Sequence, residues 1–290
     1  MAAYNGSDWI EEQIRSILDQ QDVSVSLVVS IDPSEDNTAE LVNSRFASNP
    51  QVQILQSQQR SGSAARNFFY LLTSCDFSNV DFVALADQDD IWLPDKLKRS
   101  AEQITKNNAE FYSSNVIAFW ENGKRKTVKK NFKIPTWNHL FESAGPGCTY
   151  VMKSQQAIEL GDFLREKNHL LAKIELHDWL IFSWARTNGY EWYIDEYSGV
   201  LYRQHANNAF GVNSGWKAMK SRWDMLTKGW YRNQVLLISG LFGDLELSRK
   251  LVNLSVFDRI YLAANTKKMR RYWFDHIILA LAFLFMKKDE

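Results

Sequence analysis

At 290 residues the chain can bury roughly three quarters of its extended surface, enough for one large domain or a domain with an appendage. Its 34 basic and 34 acidic residues cancel to a net charge of zero, which argues against nucleic acid as the main partner, because phosphate binding favours a basic surplus. Cys75 and Cys148 lie far apart, which excludes a disulfide framework or a Cys-based zinc site and fits a reducing cytosol. "MAAYNGSDW" lacks the basic and apolar regions of a signal peptide, so a cytoplasmic chain is expected.

The first half alternates two periodicities. In "SDWIEEQIRSILDQQ" Ile10, Ile14, Ile17 and Leu18 fall at helical spacing, and Asp8 with Glu11 three positions on reads as a capping box. "VSVSLVVSI" (23–31) is β-branched and apolar, hence a strand. "SEDNTAELVNSRFAS" returns to helical period, opening on residues that favour helix starts. "VQILQ" is a short strand, "SGSAARNFFYLLTS" a helix and "DFVALA" (81–86) a buried strand. This succession implies right-handed crossovers and an α/β fold, a mostly parallel sheet with helices on both faces. Only Met1 to Tyr4 precede the first turn, so the first strand is expected to be truncated.

After residue 110 the pattern changes. "FYSSNVIAFW" and "GCTYVMK" read as strands, with the basic turn "ENGKRKTVKK" between them. "IELHDWLIFSWARTNG" is a helix ending at Gly189, followed by strands "YEWYID" and "GVLYRQH". From Trp216 onward the chain is helix-like, so the expected division is a domain over 1–215, with halves 1–110 and 111–215, and a helical C-terminal extension over 216–290. Within 267–288 the apolar run Ile277 to Met286 is flanked by basic residues and Trp273. It is too short to span a bilayer. It reads either as a buried terminal helix or as one lying in a membrane interface, a peripheral association.

In parallel α/β sheets the ligand sits outside the carboxyl ends of the strands. Four polar segments fall there: "AYNG", "DPSEDN", "QRSGSAARN" and "DQDD". The last places Asp87, Asp89 and Asp90 within four positions directly after an apolar strand. Like charges this close raise one another's pKa unless something positive lies among them. A divalent ion with oxygen ligands would remove the repulsion and still accept phosphate oxygens on its open side. An acidic turn leading into the next helix is the plainer alternative.

The ordered set "AAYNGSDWIEEQIRSILDQ", "SIDPSEDNT", "SGSAARN", "ADQDDIWLPDKL", "GCTYV", "HDW" and "YRQHANN" resembles the family 2 inverting glycosyltransferases of the GT-A fold over residues 2–210. The "DQDDIW…HDW…YRQH" combination is most similar to bacterial rhamnosyltransferases and related transferases of cell-surface polysaccharide and lipopolysaccharide synthesis. The resemblance implies that Ala3 and Tyr4 contact a nucleotide base and that Asp32 accepts from its N3–H. Ile31 and Pro33 depart from the family's usual Asp and Gly around that acid. It also implies that Arg66 lies on the diphosphate or base, that Asp87 touches the ribose, and that Asp89 holds Mn2+ or Mg2+. Asp90 would support that metal site, and Trp92 would floor the sugar or acceptor pocket. Asp178 takes the position of the catalytic base, and an inverting transferase needs only one, with no carboxylate nucleophile. His177 would orient the acceptor, Arg203 stabilise the leaving diphosphate and His205 ligate the metal, with "HANNAFGVNSG" closing over the donor.

The implied activity is transfer of a sugar from a UDP- or dTDP-linked donor to a hydroxyl of a bacterial glycan or glycolipid. Two alternatives stay open. A nucleotidyltransferase also uses paired acids on such a sheet, although "AAYNGSDW" lacks the basic loop it usually carries. A non-catalytic glycan-binding module would fit a nucleotide pocket weakened by the short first strand.

Overall fold

The computed structural model describes residues 1–205, 216–243 and 245–286. Its strands are β1 (Ala2–Ala3), β2 (Leu27–Ile31), β3 (Val52–Gln56), β4 (Phe82–Ala84), β5 (Ile91–Trp92), β6 (Phe111–Ser114), β7 (Val116–Trp120), β8 (Arg125–Val128), β9 (Val151–Lys153), β10 (Trp192–Asp195) and β11 (Val200–Gln204). Helices of the α/β part are α1 (Ile10–Leu18), α2 (Thr38–Phe46), α3 (Ala64–Ser74), α4 (Lys96–Lys106), α5 (Asn138–Phe141), α6 (Ser154–Glu166), α7 (Asn168–Leu171) and α8 (His177–Thr187). The C-terminal helices are α9 (Trp216–Thr227), α10 (Trp230–Leu241), α11 (Leu245–Asn253), α12 (Val256–Ala264) and α13 (Trp273–Phe285).

The expected parallel sheet is formed by β1, β2 and β3, which pair in parallel with α1 and α2 as crossovers. β1 is two residues long, yet Ala2 N donates to Ala86 O at 3.3 Å, so it joins this sheet to the end of β4. Beyond β4 the pairing becomes mixed. β9 runs antiparallel to both β4 and β6, and β6 is parallel to β10. A third sheet, β5-β11-β7-β8, holds one parallel and two antiparallel pairs.

"FYSSNVIAFW" is not one strand. β6 lies in one sheet and β7 in the next, and Asn115 occupies the step. Its amide donates to Glu196 O at 2.8 Å, and its Oδ1 accepts from Lys130 N and Asn131 N. The parallel step from β10 to β11 follows it, with Asp195 buried against Arg99 at 2.8 Å. The capping box expected at Asp8 and Glu11 is also absent. Helix α1 starts at Ile10, where the Gly6 carbonyl accepts from both Trp9 N and Ile10 N, and Glu11 instead pairs with Arg15 at 2.7 Å. By contrast Ser63 caps α3, its hydroxyl accepting from Arg66 N at 3.3 Å.

The C-terminal helices are part of the main core. Tyr231, Val235, Ile238, Leu251, Leu262 and Phe283 belong to the same buried cluster as Phe68 of α3, Phe111 of β6 and Phe182 of α8. Phe283 meets Phe141 edge-on, with centroids 6.4 Å apart. Truncating such a ring normally costs about 3–5 kcal/mol. Phe283→Ala is therefore expected to lower the midpoint of urea unfolding for the whole chain in a single transition. An unchanged main transition, with a separate early one, would show that the helices fold apart.

Candidate active site

The sheet edge that carries the acids is built by register. β5 pairs antiparallel with β11 through Val200↔Trp92 and Leu201↔Ile91, so the strand continuing from each runs past the other. Arg203 thereby faces the acidic turn: its Nε donates to Asp89 O at 2.8 Å and its backbone N to Asp90 Oδ1 at 3.1 Å. Two residues on, His205 Nε2 lies 2.8 Å from Asp89 Oδ2, and the imidazole stacks on Trp9 with centroids 4.0 Å apart. The Arg203 guanidinium also reaches Glu12 at 2.5 Å and covers Phe119. The segment after His205, including the expected closing loop with Gly211 and Gly215, lies outside the described residues.

The end of β1 forms the neighbouring part of the rim. Ala3 O accepts from Asp32 N at 2.9 Å, tying the first two strand ends together. Tyr4 and Gln88 exchange two hydrogen bonds, Tyr4 N to Gln88 Oε1 at 2.8 Å and Gln88 Nε2 to Tyr4 O at 2.7 Å. The Tyr4 ring is 40% exposed and the Arg60 guanidinium lies 5.3 Å from its centroid. Asp32 is buried, and its two oxygens accept from Ser61 Oγ at 2.7 Å and Ser61 N at 3.1 Å. Arg66 spans the gap to the other half, donating to Ala172 O at 2.7 Å.

Asp178 opens α8, its Oδ1 accepting from Trp179 N at 2.8 Å. Burial pushes its carboxyl up to about 6, against the hydrogen bond from Trp179 N, the nearby Ser143 side chain and the charge of Lys130. Asp87 is pushed up to about 7, first by burial and then by the charges of Asp89 and Asp178. Those influences place Asp87, Asp89 and Asp178 in one electrostatic neighbourhood. His177 is a neutral wall. Its ring stacks on Phe68 at 4.0 Å, burial lowers its pKa to about 3, and its buried Nε2 has no hydrogen-bond partner.

Asp90 and Trp92 lie deeper than the rim. Asp90 is 0% exposed and Trp92 4%, so neither offers a surface on which a sugar could rest. Beneath them Lys96 is buried with its Nζ 3.4 Å from the Trp92 centroid, and burial lowers its pKa to about 7. Asp87, Asp90 and Cys148 place ligand atoms within 4.8 Å of one another. Burial, then Asp90 and Asp87, raises the Cys148 thiol, which is a poor ligand for a hard cation. Asp89 and His205 are the better donor pair, a carboxylate and an imidazole in contact at the rim.

Gln88, Lys96 and Ser143 are not singled out by the sequence, and Cys148 enters it only as evidence against a disulfide or zinc site. Gln88 sits inside the acidic motif and had a local signal, a polar side chain at a strand end. Lys96 had none, because a lysine one turn into an amphipathic helix ordinarily reaches solvent.

A profile of Glycosyl transferase family 2 matches residues 1–153, more than half of the chain. The chain belongs to Glycosyl transferase family 2. It is 39% identical over 285 residues to the dTDP-rhamnosyl transferase RfbG of Shigella flexneri, covering 98% of this chain and 99% of that protein. It is 31% identical over 160 residues to the UDP-Glc:alpha-D-GlcNAc-diphosphoundecaprenol beta-1,3-glucosyltransferase WfgD of Escherichia coli, across 52% of this chain and 57% of that one. Among solved structures, S. aureus TarS 1–349 in complex with UDP-GlcNAc aligns over 97% of this chain and 78% of its own, with a TM-score of 0.58 and 15% identity. That likeness is one of fold, the GT-A arrangement. The chain is a glycosyltransferase of this family, of the rhamnosyltransferase-like group that acts in polysaccharide synthesis.

Proposed function

We propose that this glycosyltransferase moves a sugar from a dTDP- or UDP-linked donor to a hydroxyl of a bacterial surface glycan or glycolipid, with inversion and with a divalent cation. The observation that carries this reading is the gathering of Asp87, Asp89, His205 and Asp178 at one rim, beside the Tyr4 and Asp32 cradle. The near full-length likeness to a dTDP-rhamnosyl transferase favours dTDP-rhamnose as the donor to test first.

In this reading the donor base rests on the exposed face of Tyr4, with Ala3 backbone beside it. Asp32 accepts from the base N3–H with lone pairs left free by Ser61. Asp87 takes the ribose hydroxyls. Arg66 and Arg203 face the diphosphate; guanidinium groups suit phosphate because their charge is permanent and their donors diverge in a fork. Asp89 and His205 hold Mn2+ or Mg2+, with Asp90 bracing the turn through Arg203 N. When bound, that cation supplies charge stabilisation to the departing diphosphate. Asp178 removes the proton from the acceptor hydroxyl as it attacks the anomeric carbon from the face opposite the diphosphate. His177 shapes the acceptor side as a neutral ring, backed by Phe68. The division into 1–110, 111–215 and 216–290 then separates donor binding, acceptor binding and a helical support.

A lipid-linked acceptor would also give a role to the outer face of α12 and α13. Phe257 is 84% exposed and Trp273 62%, with Ile260, Phe274, Ile277 and Phe285 also exposed, while no described helix is long and apolar enough to cross a membrane. We assign that face to a membrane surface, aromatic rings at the boundary and Lys267 and Lys268 towards headgroups. The protein is then expected to pellet with vesicles of phosphatidylethanolamine and phosphatidylglycerol, and the double variant Phe257→Ser, Trp273→Ser to lose most of that binding. A parent that stays in the supernatant contradicts the assignment.

The base assignment fixes a second outcome. With a bacterial glycolipid extract as acceptor, Asp178→Asn is expected to bind donor as the parent does yet lose transfer by about 10²–10⁴-fold. Parental transfer should fall as pH drops through about 6, where Asp178 takes up its proton. The sign for stability is opposite. The folded state holds this proton more tightly, so between pH ~4 and ~6 stability falls as pH rises, and the penalty is complete above about 6. Asp178→Asn should therefore unfold later than the parent at pH 8, by up to about 3 kcal/mol. A variant with undiminished transfer removes Asp178 as the base.

A further inference from the structure

Arg271 lies between α12 and α13, well outside the residues matched by the family profile, and its side chain is only 3% exposed. Its hydrogen bonds converge on one short loop, residues 142–145. Nη2 donates to Ser143 O at 2.5 Å and Nη1 to Ala144 O at 2.8 Å. Nη1 also reaches Lys130 O at 3.3 Å, while Nε and the backbone N both donate to Glu142 Oε1, at 3.2 and 2.8 Å. Glu142 is a buried anchor. Burial works against its charge, but Arg270, Arg271 and Lys130 together hold it down at about 2.

The other side of the same loop touches Asp178. The Ser143 hydroxyl donates to Gly145 O at 3.1 Å, and its proximity to Asp178 favours the charged carboxylate. Ala144 N donates to the Tyr150 hydroxyl at 3.0 Å, and that hydroxyl donates to Asp178 O at 3.2 Å. Lys130, whose carbonyl Arg271 also holds, contributes a favourable charge to Asp178. One guanidinium thus grips from behind the loop that reaches Asp178 through Ala144 and the Tyr150 hydroxyl, and that brings Ser143 and Lys130 to bear on its charge.

We infer that Arg271 is a positioning residue for Asp178, fixing the 142–145 loop so that Ala144 and the Tyr150 hydroxyl keep the start of α8 in place, with Ser143 and Lys130 beside its carboxylate and the carboxylate aimed at the acceptor. The inference rests on the proposed role of Asp178 as base. Arg271 itself touches neither substrate nor reacting atoms.

The other groups facing Asp178 are Asp87 from the end of β4, Tyr150 before β9 and His177 on α8 itself. None of them changes in the variants that follow. The test uses the full chain with 13C-labelled aspartate, the Asp178 carboxyl resonance being identified by its loss in Asp178→Asn. In Ser143→Ala and in Arg271→Met the titration midpoint of that resonance should move up by about half a pH unit or more, since polar and charged groups that favour the charged form are removed or released. Arg271→Lys should recover part of the shift. In parallel, dTDP binding measured by calorimetry with Mn2+ should stay within about threefold of the parent, because the loop lies on the acceptor side.

Should Arg271→Met fail to fold, Ser143→Ala and Arg271→Lys still decide. A midpoint unmoved in both overturns the inference. So does a loss of dTDP affinity in Arg271→Lys as large as any loss of turnover, which would make Arg271 a general support. The base reading fails separately, through an Asp178→Asn variant that keeps full transfer.

Discussion

Four carboxylates, those of Asp87, Asp89, Asp90 and Asp178, converge on one sheet edge where burial makes their repulsion strong. The cations among the described residues balance them only in part. Arg203 already pairs with Glu12, Lys96 is sealed beneath Trp92, and Lys130 is shared with Glu142. A fold optimised for stability alone would not keep such a cluster, and most of what surrounds it holds the acids in place despite that cost. The β5–β11 register sets Asp89 against Arg203 and His205. The Gln88–Tyr4 pair pins the middle of the acidic turn to the end of β1. In the proposed function the cluster is charge prepared for a cation and a diphosphate.

The C-terminal helices enter the account through packing. They share a core with α3, α8 and β6, so the α/β part cannot be described as complete without them. Between α12 and α13 the chain delivers Arg270 and Arg271 to Glu142, a buried ionic group whose partners come from regions about 130 residues apart in sequence. Removing one partner of such a group leaves the other uncompensated, so these charges are tightly linked to one arrangement of the acceptor side. The same segment then opens α13, whose outward aromatics lie one turn away. The 142–145 loop beside Asp178 and the apolar outer face are thus linked through this one short segment.

Much of this was legible in the sequence because the signals were local. Apolar periodicity located α1, α2, α3 and α8, and β-branched runs located β2 and β3. The ordered motifs placed Asp89 and His205 in one site across 116 positions, where the structure finds them in contact. What escaped was decided by tertiary context. The break between β6 and β7 depends on Asn115 satisfying three backbone groups of two other segments, and no periodicity records that. The helix start at Ile10 follows the Gly6 carbonyl in preference to the capping-box residues. Asp90 and Trp92 belong to a motif but face inward, because β5 is only two residues long and pairs with β11 at once. Lys96 and Arg271 look like surface cations in the sequence; only the packed structure shows that one lies under a tryptophan and the other behind a loop.

The central claim is that the acidic rim grips a nucleoside diphosphate through a shared divalent cation. Calorimetric titration of dTDP and UDP into the protein tests it most directly, with Mn2+ present, after chelation, and with Asp89→Asn. The account predicts binding of at least one nucleotide with Mn2+ that weakens by about tenfold or more on chelation and in the variant. Equal binding under all three conditions, or no heat from either nucleotide with Mn2+, would contradict it.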